Sequence, residues 1–287
     1  MKNIVNTRSG KIGRRILIAA IGGLMALPLL ADTTAAQTVK EIKERKVLKA
    51  GVQVAQVPWG YTDETGKLTG FDVEFVRSVA KDLGVEVEFV PVTPANRIAT
   101  LQTGQVDLLA AVMGIFPDRQ KVVLFSRPYA NNDNVFIGKA DLKASGWADL
   151  KGARVGVPRG TPQDKAITAA NSGATIQRFD DDASTVQALI SGQVDIIGAA
   201  FTQMGNIEKV TGAGKFQQKF VLNRVFNGAA VRQDSREFAE YLNTFIGKQI
   251  ENGELPKLYK QWIGKDIGAK LPTTGEGDAP LPVDITK

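Results

Sequence analysis

One internal repeat constrains this chain more than any other feature. Leu101–Ala111 (LQTGQVDLLAA) recurs as Leu189–Ala199 (LISGQVDIIGA), 88 residues later. Each copy reads as the end of a helix, a glycine stop, a short connection and a buried strand. Gly104 and Gly192 suit the left-handed position that follows a helix. The apolar pairs after Asp107 and Asp195 suit strands covered on both faces. The flanks repeat as well. Val47–Gln53 and Ala153–Val157 are strand-like and lead into loops rich in Gly and Pro. Val85–Val90 alternates as a half-buried strand, with Ala174–Phe179 as its counterpart. Phe71, Phe75, Val79 and Leu83 form one apolar helix face that stops at Gly84. The pattern is βαβαβ, twice. It predicts an α/β fold of two lobes, each with a mainly parallel sheet. Clefts at the carboxyl ends of such strands take small molecules.

The first 36 residues read as a leader. Lys2, Arg8, Lys11, Arg14 and Arg15 precede the apolar run Ile16–Leu30, and the small-residue stretch Ala31–Ala36 follows. That is the order of a cleaved signal peptide. The run holds Gly22, Gly23 and Pro28 and is shorter than the about 20 apolar residues of a spanning helix. Cleavage is expected near Ala36. Arg14-Arg15 leaves Sec and twin-arginine export both open.

Charge and composition exclude several chemistries. The net charge is +6, and the leader supplies +4 of it, so the remainder carries only +2. Nothing in that balance asks for nucleic acid, which calls for a concentrated basic face. Cys and His are both absent. A disulfide, a thiolate nucleophile, a Cys/His metal site and a Ser-His triad are therefore ruled out, as is a lipid anchor on a cleavage-point Cys. No cofactor or metal is expected. From Lys265 onward the chain is rich in Gly, Pro, Thr and Asp without periodicity, and 265–287 is expected to be a flexible tail.

Eleven short segments then appear in a fixed order. They are VLKAG at Val47–Gly51, Pro58-Trp59, GFDVE at Gly70–Glu74, NRI at Asn96–Ile98, PDR at Pro117–Arg119 and Phe125-Ser126. Pro128-Tyr129, DLKG at Asp149–Gly152, VGV at Val155–Val157, Gly160-Thr161 and YKQW at Tyr259–Trp262 complete the series. Over about residues 40–264 the chain resembles the polar amino-acid-binding proteins of ABC importers, bacterial solute-binding protein family 3. The resemblance implies a periplasmic binding protein-like fold of type II, two α/β lobes joined by a two-strand hinge. Lobe 1 would comprise 37–130 and the return segment 227–264, and lobe 2 would comprise 131–226. It implies a monomeric periplasmic protein, not an enzyme, that closes on a polar or acidic amino acid or related carboxylate. Its partners would be an ABC permease and that permease's ATPase subunit. The alternative on the same scaffold is an exported cyclohexadienyl (prephenate or arogenate) dehydratase, which would need a buried acid in the cleft. None is obvious at the expected positions.

Arg119 is the first candidate for the ligand carboxylate. It follows a Pro at a helix start, its planar fork matches a carboxylate, and the family's matching Arg plays that part. The resemblance assigns a backbone N–H at Gly114 to the same carboxylate. Arg97 stands in the first turn after Thr93-Pro94-Ala95-Asn96 and would face the cleft. In the branch that binds acidic amino acids, the Arg of that motif meets a side-chain carboxylate. Thr161–Asp164 reads as a capping box whose helix start would favour an anion, with Gly160 and Thr161 as donors. Pro162 removes an N–H that the family uses there. Trp59 would cover the ligand, and Gln53 and Gln56 would hydrogen-bond it. Ala200 occupies the slot in which the family carries an acid for the ligand ammonium. Either an acid among Asp180–Asp182 substitutes, or the ligand lacks a free α-ammonium; Thr202 and Gln203 would suit a neutral polar group.

Overall fold

A computed structural model describes residues 38–267, 271–275 and 281–282, and the leader predicted over 1–36 lies outside this range. The first element, α1 (Val39–Arg45), starts on a reciprocal cap between Thr38 and Glu41. The cap satisfies two donors that the helix cannot. There follow β1 (Val47–Val52), the short strands β2 (Ala55–Gln56), β3 (Gly60–Thr62) and β4 (Leu68–Thr69), and α2 (Phe71–Leu83). The predicted apolar stripe is the buried face of α2. Phe75 on that face stacks on Tyr129 with ring centroids 4.3 Å apart. Burying a side chain of this size stabilises by about 1.5–3 kcal/mol, and truncating it to Ala would cost about 3–5 kcal/mol. Then come β5 (Glu86–Pro91), α3 (Arg97–Gln102), β6 (Leu108–Leu109) and the single turn α4 (Pro117–Gln120).

The long strand β7 (Leu124–Lys139) leaves this first lobe. The second lobe repeats the plan with β8 (Arg154–Pro158), α5 (Pro162–Ala170), β9 (Thr175–Phe179), α6 (Asp182–Ile190), β10 (Ile196–Ala200) and α7 (Gln203–Thr211). Strand β11 (Phe216–Val231) returns, and α8 (Arg236–Glu251) and α9 (Glu254–Ile263) close the first lobe against α2. A last short strand is β12 (Leu281–Pro282).

The main sheet runs β5-β1-β6-β11-β7-β10-β8-β9. Its outer strands are parallel within each lobe, and the central pair β7–β11 is antiparallel and joins the lobes. Each flank has the same order, with the lobe's first strand between its second and third. The sequence repeat accounts for that symmetry. Asp107 N donates to Lys49 O while its Oδ2 accepts from Lys49 N, both at 2.8 Å. Asp195 makes the same pair with Arg154, at 2.8 and 2.9 Å. The repeated aspartate thus ties the third strand of each lobe to the first through a charge-assisted bond. Arg154 also forks onto Asp195 and holds its carboxyl below the ordinary range. Gly104 and Gly192 take the predicted left-handed conformation, at φ 73° and 76°.

The tail differs from expectation where it is described. Leu271 is buried, Gln120 Nε2 donates to Gly275 O at 2.7 Å, and β12 pairs with Asn223 and Arg224 of β11. A segment poor in apolar residues docks here largely through its backbone, which composition does not reveal.

Candidate functional site

The carboxyl ends of β1, β6, β8, β9 and β10 converge on a narrow cavity between the lobes. Seven predicted residues line it: Gln53, Gln56, Arg97, Gly114, Arg119, Thr161 and Ala200.

Arg119 reaches the cavity from α4, whose Pro117 presets the first turn. It is buried, its Nη1 donates to Gly114 O at 3.0 Å, and its guanidinium lies 5.0 Å from the centroid of the Phe116 ring. Arg97 is equally buried and faces the same space from α3. The Thr93–Asn96 turn that starts α3 is held reciprocally, Thr93 N to Asn96 Oδ1 and Asn96 N to Thr93 Oγ1. Arg97 Nη1 donates to the carbonyls of Ala111 and Val112. Val112 stands at φ 51°, a left-handed conformation that costs a β-branched residue about 1–3 kcal/mol. The buried Asp72 carboxylate fixes it by accepting from Val112 N at 2.8 Å. Burial pulls Arg97 down to about 9 and Arg119 down to about 10, and Arg119 adds to the effect on Arg97. Both remain cations at neutral pH, two like charges facing one cavity. An anion between them relieves that repulsion.

The third charge is Asp182, at the start of α6 and 5% exposed. Gln53 Nε2 donates to Ala111 O and to Gln56 Oε1, and Gln56 Nε2 donates to Asp182 Oδ1 at 3.2 Å. Burial pushes the Asp182 carboxyl up to about 7, against the lowering effect of Arg97. The cleft therefore holds a buried acid, which is not at the Ala200 slot but in the Asp180–Asp182 loop that the sequence offered as one of two alternatives. It follows the end of β9, which β8 separates in the sheet from β10 and its Ala200 slot.

The hinge strands supply residues that sequence reasoning missed. Asn132, Asn134 and Asn227 line the cavity, together with Gln163 from α5. Gln163 Nε2 donates to Asn134 Oδ1, whose Nδ2 donates to Asn223 Oδ1. Asn227 shares the cavity face of β11 with Val225, and a register shift follows it. Among the described residues, Arg97 Nε, Asn132 Oδ1, Gln163 Oε1 and both side-chain polar atoms of Asn227 are buried without a hydrogen-bond partner. Leaving such a group unpaired costs about 1–3 kcal/mol, so this wall is built for a polar guest offering both donors and acceptors. The signal in the sequence was Asn131–Asn134, four polar residues in a strand otherwise fit for burial.

Several expectations need correction. Trp59 is wholly buried in the first lobe's core, edge-on to Phe71 and Tyr259, and does not line the cavity. Its apolar bulk outweighs its use as a cover, and its Nε1 donates to Thr202 Oγ1 at 3.0 Å. Gly160 is also off the cavity wall. Its N–H donates to Asp164 Oδ2, and a Cβ there would stand 3.1 Å from Ala95 Cα. It permits the lobes to approach. The N–H of Gly114 is taken by Val112 O, so Gly114 faces the cavity without a free donor. Thr161 caps α5 as predicted, its Oγ1 accepting from Asp164 N. Thr202 and Gln203 contact the first lobe, with Gln203 Nε2 donating to Val57 O.

The model of the bacterial extracellular solute-binding proteins, family 3, matches residues 48–265. The chain is 28% identical over 263 residues to the L-cystine-binding protein TcyJ of Escherichia coli (strain K12), covering 89% of this chain and 97% of that protein. A mutant of ArgBP from T. maritima superposes with a TM-score of 0.75 at 27% identity, over 80% of this chain and 100% of that one. An ancestral amino acid-binding protein, described as a precursor of cyclohexadienyl dehydratase, superposes with a TM-score of 0.74 at 30% identity, over 79% and 100%.

Proposed function

Because the chain belongs to family 3 of the bacterial extracellular solute-binding proteins, we propose that it captures a polar or acidic amino acid, or a related small carboxylate, by lobe closure and delivers it to an ABC permease. The observation that carries this reading is the cavity itself: two buried guanidiniums, one buried carboxylate and a wall of unpaired amides. Solute-binding proteins of this family bind amino acids and work with ABC permeases, and the matched relatives are binding proteins rather than enzymes. We take residues 37–130 and 227–264 as lobe 1, 131–226 as lobe 2, and the permease's ATPase as an indirect partner of a monomeric binding protein.

A thermal-shift panel of amino acids and small carboxylates tests the reading, because a ligand of the folded form raises its stability. One class should raise Tm by several degrees, and titration calorimetry should give a single site. A panel that moves nothing would refute capture of this class. Export follows from the same reading. The mature periplasmic protein should begin just after Ala36, as terminal sequencing of exported material would show.

The raised Asp182 carboxyl is the one observation that favours an enzyme. Its side-chain bond to Gln56 and its position opposite two cations suit ion recognition equally. Incubation with prephenate or arogenate should leave both unchanged.

A further inference from the structure

We infer that Asp72, which lies outside the cavity wall, is a positioning residue for both cavity arginines and acts through the turn Ala111–Gly114. The inference rests on the binding reading above and names the group that sets its anion grip.

The turn is the shared acceptor of the two guanidiniums. Arg97 Nη1 donates to Ala111 O and Val112 O, and Arg119 Nη1 donates to Gly114 O. Gln53 Nε2 shares Ala111 O, and Gly114 N closes the turn on Val112 O. The direction of these carbonyls therefore decides where both forks can meet an anion, and small misplacements of such groups are costly. That direction hangs on Val112, which stands at φ 51°. A β-branched residue does not keep this conformation by itself, so a group outside the turn must impose it. Asp72 does so, its Oδ2 accepting from Val112 N at 2.8 Å. Asp72 sits in the first turn of α2 and is buried, and it is not among the residues that line the cavity. Its other oxygen, Oδ1, accepts from the Tyr129 hydroxyl at 2.8 Å. The Tyr129 ring is stacked on both Phe71 and Phe75, with centroids 5.8 and 4.3 Å away. The core thus holds one oxygen of the carboxyl, and the other oxygen holds the turn. What Val112 N–H needs is an acceptor oxygen at this point, charged or neutral. An Asn at position 72 supplies one, whereas an Ala lets the turn relax to negative φ and carry both guanidiniums with it.

The test measures affinity by titration calorimetry at pH 7.5, with whichever of L-glutamine, L-arginine, L-glutamate and L-cystine wild type binds. Melting curves establish that each variant is folded at the titration temperature, so stability and affinity are read apart. Asp72→Ala should weaken binding by about tenfold or more, the scale of one buried hydrogen bond. Asp72→Asn should stay within about threefold of wild type, because its side-chain oxygen replaces the acceptor. Val112→Gly/Asp72→Ala should bind at least about threefold more tightly than Asp72→Ala, because glycine takes φ 51° without strain. A purely structural Asp72 would lower Tm and move none of these affinities, and that result overturns the inference. An Asp72→Asn as weak as Asp72→Ala overturns it as well, since charge and not position would then matter, and so does a glycine that rescues nothing. Should Asp72→Ala fail to fold, Tyr129→Phe keeps the ring stack and frees the carboxyl. It should weaken binding by about two- to fivefold, and unchanged affinity there overturns the inference too. A wild type that binds one of the four keeps the binding reading even where Asp72 fails, and one that binds none refutes both.

Discussion

Gln56 Nε2 donates to Asp182 Oδ1 at 3.2 Å, and this hydrogen bond runs from one lobe to the other through the cavity wall. It is one of several bonds that hold the lobes together. Trp59 Nε1 reaches Thr202, Gln203 Nε2 and Asn206 Nδ2 both donate to Val57 O, and Lys165 pairs with Asp118. These bonds show the two lobes in direct contact. The turn after β10, expected to touch the ligand through Thr202 and Gln203, serves closure instead.

The double variant Gln203→Ala/Asn206→Ala should therefore open the protein. Two bonds of ordinary strength contribute about 1–3 kcal/mol to the closed state. Their loss should increase the radius of gyration of the ligand-free protein in small-angle scattering. Affinity should fall by about three- to tenfold, because ligand binding must then also drive closure. Scattering identical to wild type would show that these bonds do not set the equilibrium.

Arg119→Ala should weaken ligand binding by at least about a hundredfold. The guanidinium is a buried fork, and its removal leaves the ligand carboxylate without a charge-assisted partner. Arg119→Lys should recover little, because an ammonium cannot make two parallel bonds. The fold should survive, since removing an unpaired buried charge also removes its desolvation cost. Calorimetry beside a melting curve checks both halves, and unchanged affinity would remove Arg119 from the site.

Trp59 should report closure. Trp59, Trp147 and Trp262 are the three tryptophans, so Trp147→Phe/Trp262→Phe leaves Trp59 as the sole emitter. Its Nε1 bond to Thr202 Oγ1 bridges the lobes. Ligand should shift its emission, and Thr202→Val should abolish most of that shift while keeping binding. An emission maximum indifferent to ligand would mean that the bond persists in the open form.

The symmetry of the fold was legible because it rests on local chemistry written twice. Asp107 and Asp195 sit in identical tetrapeptides, and each makes the same pair of bonds to its lobe's first strand. Arg119 and Arg97 were legible because a helix start beside a strand end must face the cleft. Asp182 was not singled out. Its role depends on which of three consecutive acids points inward, and that is fixed by Asp181 taking the cap of α6. Asn227 shares a face of β11 with Val225, and nothing local in the sequence says that this face meets the cavity. Trp59 misled because a large aromatic beside a cleft has a competing use as core, and here burial prevails.

Stability and affinity should run in opposite directions with pH. Burial pushes Asp72 and Asp182 up to about 7, above the unfolded value of 3.8. Tyr129 and Arg97 face Asp72, while Arg97 and Asp181 face Asp182, and none of these cancels the burial effect. Between about 4 and 7 the folded state binds more protons than the unfolded chain, so the ligand-free protein should become more stable as pH falls from 8 to 5. The carboxyls held low, such as Asp195 and Asp118, are ionised throughout that window and leave it flat. Arg97 and Arg119 stay charged across it. A ligand ammonium paired with Asp182, by contrast, needs that carboxyl ionised, so affinity should drop below about pH 7. Asp182→Asn should flatten the affinity curve and leave the Asp72 part of the stability curve. Scanning calorimetry of the ligand-free protein and titrations from pH 5.5 to 8 would measure both, and two curves rising together would contradict such a pairing.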